Sequence, residues 1–292
     1  MTKTYSRRSF LKGILSLSFA SLLTAAGGYS YARFIEPSLL DITPITFTHP
    51  KIPAGFNGVK IVQFSDTHLS EFYPLSRLEK IVAKINDLGP DLLIFTGDLI
   101  DKPNQYSAYK QVAPVLRTLS ASVGKFAIYG NHDHGGYGTD IYKDIMEESG
   151  FTLLKNEVKR ITLRDGSMIQ IAGIDDLMLG LPNYEKTLGK LNEGLFSILL
   201  AHEPDAAIQS QHYPVDLQLS GHSHGGQIQL PFYGPLITPP FASVYTEGMY
   251  NVNQMKVYVN RGLGMTRLPF RFFCKPEITV FTLQKGKNQY NL

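Results

Sequence analysis

The stretch DLQLSGHSHGG (residues 216–226) joins a short apolar run, which reads as a strand, to two histidines set among glycines. Side chains two positions apart in an extended chain point to the same face, so His222 and His224 are expected to project toward one centre. The glycines let the backbone turn after the strand. Such a pair can reach one metal ion, and the alternative is a polar loop with two solvated histidines.

Polar residues also follow other predicted strands. The runs KIVQFS (60–65), DLLIFTGD (91–98), KFAIYGN (125–131) and LFSILLAH (195–202) read as strands, and residues 75–88 have apolar side chains at helical spacing. This alternation predicts a largely parallel sheet whose strands end at one edge. The residues at or just after the strand ends are Asp66, His68, Asp98, Asp101, Asn131, His132 and His202. Coincidence is a poor explanation for so many potential metal ligands there.

The second half of the chain is richer in strands. Residues 158–163 and 168–173 flank Asp165-Gly166, which is a hairpin signal, and GQIQL, MKVYVN and EITVFTL read as further strands. Helices are predicted at residues 106–119, with an interruption at Pro114, and at residues 184–191. We expect one domain from residue 59 to residue 292, preceded by a Pro-rich connector at residues 33–58.

The order D-x-H, G-D, G-N-H-D, H and G-H-x-H resembles that of the calcineurin-like metallophosphoesterase superfamily, from about residue 61 to the C-terminus. The resemblance implies an α/β fold, a four-layer α-β-β-α sandwich with two facing mixed β-sheets and a dinuclear metal site at the strand ends. It also implies seven ligands in two sets that one carboxylate bridges. They are Asp66, His68 and His224 for the first ion, Asp98 as the bridge, and Asn131, His202 and His222 for the second ion.

The residue types restrict the metal and suggest the chemistry. Asp, Asn and His together suit two divalent ions of Mn, Fe or Zn, and the single cysteine, Cys274, excludes zinc sites built from thiolates. The resemblance implies that His132 is a catalytic group that protonates or stabilises the leaving oxygen, and that Asp101 orients it. Asp133 is expected to support the loop. The remaining histidines, His49, His134 and His212, are expected to be ordinary surface residues.

These residues predict a metal-dependent phosphoesterase that hydrolyses a phosphomonoester, a phosphodiester or a pyrophosphate. The alternative is a non-catalytic, exported metal-binding protein of the wall or surface; His132 and Asp101 favour the enzyme, because metal storage needs neither. Lys102 stands where the family's protein phosphatases have an Arg-Gly pair, which argues against a phosphoprotein substrate. The C-terminal run VNRGLG…LPFRFFCKPEITVFTL resembles the membrane-associated bacterial branch, which includes enzymes for lipid-linked or nucleotide-sugar pyrophosphates.

Two loop-like segments near the C-terminus are apolar and aromatic, LPFYGPLITPPF (230–241) and GMTRLPFRFF (264–273). If they line the site, they favour a lipid-linked substrate with an apolar body and a phosphate, and Arg267 and Arg271 would pair with its anionic head. The alternative is that their rings fill the gap between sheets and loops, since exposed apolar loops are uncommon in soluble proteins.

The N-terminal segment, residues 1–32, has the pattern of an export signal. SRRSFLKG (6–13) precedes an uncharged stretch, and its paired arginines resemble a twin-arginine signal. The resemblance implies the twin-arginine translocase as a partner and a location in the cell wall, in the envelope or outside the cell. Ser30-Tyr31-Ala32 would serve as a processing site, or the stretch remains as a membrane anchor.

The charge distribution argues against nucleic acid as a partner. The formal net charge of the 292 residues is +3, but residues 1–32 carry four basic side chains and no acidic one. The remainder has 24 basic residues against 25 acidic ones. It therefore offers no positive field for a polyanion.

Overall fold

Two six-stranded sheets face each other in the computed structural model, which describes residues 7–134 and 139–287. The first sheet contains β1 (Asp41–His49), β2 (Lys60–Phe64), β3 (Leu92–Phe95), β4 (Gly124–Ala127), β5 (Thr152–Leu153) and β14 (Glu277–Lys285). Its order is β1-β14-β2-β3-β4-β5. Strands β2 to β5 are parallel, whereas β14 is antiparallel to β2 and parallel to β1, so the sheet is mixed.

The second sheet contains β6 (Glu157–Thr162), β7 (Met168–Gly173), β8 (Phe196–Leu200), β9 (Leu217–Ser220), β12 (Gly248–Val252) and β13 (Met255–Val259). Its order is β12-β13-β9-β8-β7-β6, with four parallel strands inside and an antiparallel strand at each edge. A small antiparallel ribbon, β10 (Gln229–Leu230) with β11 (Gly234–Pro235), follows the GHSHGG loop.

Alternating side chains divide the apolar residues between an inner core and two outer cores. In β3, Leu92 and Ile94 pack between the sheets, whereas Leu93 and Phe95 pack beneath helices. The helices over the first sheet are α2 (Leu75–Leu88), α3 (Val112–Arg117) and α5 (Thr139–Glu148). Those over the second are α6 (Tyr184–Leu188) and α7 (Ala207–Ser210). These layers confirm the predicted four-layer α-β-β-α sandwich.

Several predicted elements have the bounds expected from the sequence. Helix α2 spans the predicted residues 75–88; Pro74 precedes it, and Gly89, with a φ of 61°, ends it in the left-handed conformation. The predicted hairpin is β6 with β7, paired antiparallel. Two further helices stand apart from the sandwich or at its edge: α1 (Arg7–Ser30) at the N-terminus and the short α4 (Asn131–His134) after β4.

Other predictions were wrong at particular residues. Within the expected connector, β1 pairs with β14 along nine residues, and Pro44 is accommodated because β1 is an edge strand. GQIQL supplies only the two residues of β10, outside both large sheets. The helix predicted at residues 106–119 is shortened to α3, where Pro114 lies in the first turn and needs no N–H partner.

Candidate metal centre

Loops after five strands meet at one buried point at the edge of the two sheets. They follow β2, β3 and β4 of the first sheet and β8 and β9 of the second. These loops carry six nearly inaccessible acids and histidines, which are Asp66, His68, Asp98, His202, His222 and His224. In the described part of the chain, they make up two groups whose ligand atoms lie within 4.8 Å of one another, and His68 and Asp98 form a third such group with His132. Residues that follow strands in both halves of the chain therefore meet at one edge, as expected for parallel strands.

The first group consists of Asp66, His68 and His224. Nε2 of His68 lies 3.0 Å from Nε2 of His224, and Oδ1 of Asp66 lies 3.4 Å from the same His224 nitrogen. Three potential ligand atoms thus converge on one small volume. A divalent cation that accepts nitrogen and oxygen ligands fits this donor set.

The second group consists of Asp98, His202 and His222. Nε2 of His202 lies 3.2 Å from Nδ1 of His222 and 3.3 Å from Oδ2 of Asp98. This set again joins one carboxylate to two imidazoles. Like the first group, it fits a divalent cation that accepts nitrogen and oxygen ligands.

Asp98 lies between the two groups. Its Oδ2 is 3.4 Å from Nε2 of His68 and 3.3 Å from Nε2 of His202, so one oxygen faces a histidine of each group. Its Oδ1 accepts the backbone N–H of His132 at 2.8 Å, which fixes the orientation of the carboxylate. One carboxylate that faces both groups has the placement of a shared ligand.

Asn131 supplies a buried oxygen that needs a partner. Its Oδ1 has no hydrogen-bond partner among the described residues, and such an atom is costly to bury unless something binds it. The neighbouring Gly130 permits close packing here, since a Cβ at that position would lie 2.3 Å from Oδ1 of Asp98. An amide oxygen that is buried without a partner fits the role of a neutral metal ligand.

The ligand loops are held in an unusual backbone conformation. Asp66, His68, Asp98, His222 and His224 have φ values of 51°, 43°, 61°, 66° and 51°. This left-handed region costs on the order of 1–3 kcal/mol for each such residue and is concentrated at functional sites. The prediction that His222 and His224 share a face of an extended strand was therefore wrong, because the backbone turns at each of them.

Backbone carbonyls hold the outer nitrogens of two site histidines. Nδ1 of His202 lies 2.6 Å from the carbonyl oxygen of Thr96, and Nε2 of His222 lies 2.9 Å from that of Pro240. Because a carbonyl only accepts, each of these nitrogens carries the hydrogen and the other nitrogen is left to bind at the centre. This arrangement is typical of metal-ligating histidines.

Burial and charge shift several pKa values at the centre, and the shifts of Asp98 and His222 suit cation binding. Burial works to raise the pKa of Asp98, but His202 and His132 outweigh it and hold this pKa well below its usual range. Burial works to lower the pKa of His202, but Asp98 outweighs it and raises this pKa well above the usual value, so a metal ion that binds Nε2 of His202 would displace a proton. Burial, together with His202, lowers the pKa of His222 to about 4. At neutral pH Asp98 is therefore a carboxylate and His222 a neutral imidazole, which are the forms that bind metal.

His132 is more exposed than the ligand histidines, with 27% of its side chain accessible. Its Nδ1 lies 2.7 Å from the backbone carbonyl of Asp101 and 3.7 Å from that residue's carboxylate. Burial works to lower the pKa of His132, and the charges of Asp98 and Asp101 outweigh it, so the pKa is raised. The expected contact between His132 and Asp101 is present, but the ring lies closer to the backbone carbonyl of Asp101 than to its carboxylate.

The carboxylate of Asp101 faces a different histidine more closely. Its Oδ1 lies 3.3 Å from Nδ1 of His68 and accepts the hydroxyl of Thr266 at 3.0 Å. Backbone N–H of Thr266 in turn donates to the side chain of Gln227 at 2.8 Å. Sequence reasoning missed Thr266 and Gln227, since neither lies in a motif and the chain brings them together over long distances.

Two residues near His132 differ in how well they were predicted. Asp133 supports the loop as expected, because its carboxylate accepts the backbone N–H groups of Asp98, Leu99 and Gly130. His134 is not a surface residue: it is buried, and its Nε2 lies 2.5 Å from Oδ1 of Asp175. Its partner is 41 residues away, so the local sequence gave no signal.

The two apolar loops near the C-terminus, residues 230–241 and 264–273, differ in what their side chains contact. In residues 230–241 the large apolar side chains are exposed, so they do not fill a gap between the sheets and loops. Arg271 is fully buried, and its guanidinium donates to the carbonyls of Arg261, Gly262, Gly264 and Cys274. The prediction that Arg271 pairs with a substrate was wrong, because its donors are used within the fold. Arg267 is exposed.

Comparison with known proteins agrees with this geometry. A family model described as calcineurin-like phosphoesterase matches residues 59–226. The uncharacterized metallophosphoesterase YkuE of Bacillus subtilis is 58% identical, over 97% of this chain and 99% of its own. The UDP-2,3-diacylglucosamine pyrophosphatase LpxG of Chlamydia muridarum is 32% identical, over 86% of this chain and 91% of its own. The phosphodiesterase YaeI of Escherichia coli is 29% identical, over 95% and 99%.

The family match covers more than half of the chain and contains every residue of the two ligand groups, from Asp66 to His224. The two mixed sheets and the buried ligands at their edge are the structural counterpart of that match. This chain belongs to the calcineurin-like phosphoesterase family.

Proposed function

We propose that the chain is a metal-dependent phosphoesterase that uses two divalent ions of Mn, Fe or Zn. The observation that carries the proposal is the position of Asp98, whose Oδ2 is 3.4 Å from a histidine of one ligand group and 3.3 Å from a histidine of the other. Two divalent ions that lie close together need a negatively charged ligand between them, whereas a single ion does not.

The residues that would hold the ions fall into the two groups already described. The first ion would have Asp66, His68 and His224, the second Asn131, His202 and His222, with Asp98 shared. When bound, such ions would supply Lewis-acid chemistry, which polarises a phosphoryl group and lowers the pKa of a nearby water. The chain's own contribution is to hold these ligands in a buried volume, through the backbone carbonyls and loop contacts behind them.

His132 has the properties of a proton donor to the leaving oxygen. Its Nδ1 hydrogen stays on the carbonyl of Asp101, so in the protonated ring Nε2 carries the hydrogen that can be given away. Its raised pKa increases the protonated fraction near neutral pH. Its partial exposure allows it to reach a bound ester. A non-catalytic metal-binding protein is the second candidate, and the His132 contacts favour the enzyme because metal storage requires none of them.

The relatives and the loops support a lipid-linked substrate. LpxG, at 32% identity, is named as a pyrophosphatase of UDP-2,3-diacylglucosamine. The exposed apolar segment 230–241 borders the centre, since the carbonyl of Pro240 lies 2.9 Å from Nε2 of His222. We therefore propose a phosphodiester or pyrophosphate with an apolar body as the preferred substrate class, and Arg267 as a partner for its anionic group.

Metal removal tests the proposed activity and the substrate class together. We expect the metal-loaded chain to hydrolyse both a soluble aryl phosphodiester and a lipid-linked pyrophosphate, with the higher kcat/KM on the lipid-linked compound, and the chelated chain to hydrolyse neither. Adding Mn, Fe or Zn back should restore activity. Full activity after chelation would exclude the two-metal proposal, no activity when loaded would favour the binding protein, and equal kcat/KM values would remove the lipid preference.

We also propose that the twin-arginine pathway exports the chain to the envelope or wall. Arg7 and Arg8 open α1, which buries no side chain in the fold. Changing both residues to lysine keeps their charge, so we expect folded, metal-loaded protein to accumulate inside the cell. Cell fractionation with an immunoblot measures this, and Lys12→Arg is the control with the same type of exchange outside the arginine pair. Unchanged export of the double variant would contradict the proposal.

A further inference from the structure

The base of helix α1 is connected to the metal centre by a short series of hydrogen bonds. The carboxylate of Glu36, which follows α1, accepts the backbone N–H groups of Phe273 and Cys274. Sγ of Cys274 donates to the backbone carbonyl of His224 at 3.0 Å. Cys274 therefore contacts both the segment after α1, through Glu36, and the candidate metal ligand His224.

The same segment is packed into the fold at the candidate processing site. Backbone N–H of Arg271 donates to the carbonyl of Ala32 at 3.0 Å, and the rings of Tyr29 and Phe270 have their centres 5.4 Å apart. Ala32, the last residue of that processing site, is buried. Cleavage of such a segment requires local unfolding, so these contacts favour retention of α1 in the folded protein.

Helix α1 has the dimensions of a membrane anchor. Its 24 residues correspond to about 36 Å, compared with about 30 Å for a hydrocarbon core. In the part of the chain that the structure describes, one segment, Arg7–Ser38, is long and apolar enough to cross a membrane. Arg7 and Arg8 at its start favour the cytoplasmic side, which places the folded domain on the other side of the membrane.

A patch of exposed apolar side chains lies between the metal centre and the base of α1. We call it the apolar rim; it consists of Leu230, Phe232, Tyr233, Leu236, Ile237 and Phe241. Backbone N–H of Gln229, just before the rim, donates to the carbonyl of Phe272 beside the base of α1. At the other end, Pro240 contacts His222 of the metal centre.

Exposed apolar patches of this kind mark interaction surfaces, and continuity with α1 indicates what covers this one. We propose that the apolar rim docks on the bilayer that α1 spans, so that the metal centre opens at the headgroup layer. Arg267 and Leu268, both exposed in the neighbouring loop, add a positive charge and apolar area to the same surface. The inference rests on the export in the proposed function and does not depend on catalysis.

The test measures contact between the rim and lipid in the full-length, metal-loaded protein. Phe232→Cys carries a maleimide fluorophore, and Glu193→Cys carries it at the opposite strand end, before β8. Cys274 gives little background, because burial raises the pKa of its thiol to about 11. In phosphatidylcholine–phosphatidylglycerol liposomes with nitroxide-labelled lipid, we expect at least about twofold stronger quenching at residue 232 than at residue 193, since interfacial apolar groups enter the headgroup and acyl boundary.

Each outcome decides the inference. Equal quenching at the two positions in protein that sediments with the liposomes would overturn the docking, and so would a failure to sediment. Ile237→Cys, at another exposed rim position, replaces Phe232→Cys if that variant does not fold. Aryl phosphodiester hydrolysis by the same samples tests the proposed function separately, because an inactive protein with quenched rim fluorophores retains the docking and loses only the activity.

Discussion

Asp98→Asn should reduce hydrolysis of an aryl phosphodiester by more than about 10³-fold, which exceeds the effect of removing one transition-state hydrogen-bond donor. The exchange keeps the size of the side chain and removes the negative charge from the oxygen that faces both ligand groups. Two divalent cations would then lack their shared anionic ligand. We expect lower metal content together with the loss of activity, measured on the same preparation.

The matched control is Asp87→Asn on the exposed side of α2, which should leave activity and metal content unchanged. Circular dichroism and thermal unfolding of both variants separate a metal-site effect from a folding effect. A folded Asp98→Asn variant with parental activity and parental metal content would show that Asp98 is not the bridge.

His132→Ala should reduce turnover by roughly 10²–10⁴-fold, the usual contribution of a positioned acid or base, while the protein keeps its metal. The reason is that His132 lies outside the two proposed ligand sets, and its ring is held by the carbonyl of Asp101 at the more accessible side of the site. The measurement is kcat for a substrate with a poor leaving group, since a good leaving group needs no proton.

His212→Ala is the control, because His212 is exposed and lies outside the motifs. It should retain parental kcat on both types of substrate. If His132→Ala loses metal in proportion to activity, His132 is a ligand. If its kcat falls equally for good and poor leaving groups, it does not act as the proton donor.

The positions of the candidate ligands could be predicted because each lies within a few residues of a strand end. Strands such as β2 and β3 can be recognised in the sequence by their apolar runs. Because parallel strands end at a common edge of the sheet, these local patterns also locate Asp66 and Asp98. Helix α2 was predictable for a similar reason, since its spacing and its flanking Pro74 and Gly89 are local signals.

The features that could not be predicted depend on distant parts of the chain. Strand β1 pairs with a strand more than 200 residues later, and the proline it contains suggests a linker unless the edge position is known. Arg271 resembles an anion-binding residue until the four carbonyls around it are seen. The local sequence alone does not specify the left-handed conformation of His222 and His224.

The most direct test of the two-metal phosphoesterase is a count of metal ions per chain during reactivation. Chelated protein is titrated with Mn, Fe or Zn, and bound metal by elemental analysis and hydrolysis of an aryl phosphodiester are measured at each step. We expect saturation at two ions per chain, with activity that reaches its maximum only as the second ion binds. Full activity at one ion per chain, or hydrolysis without metal, would contradict it.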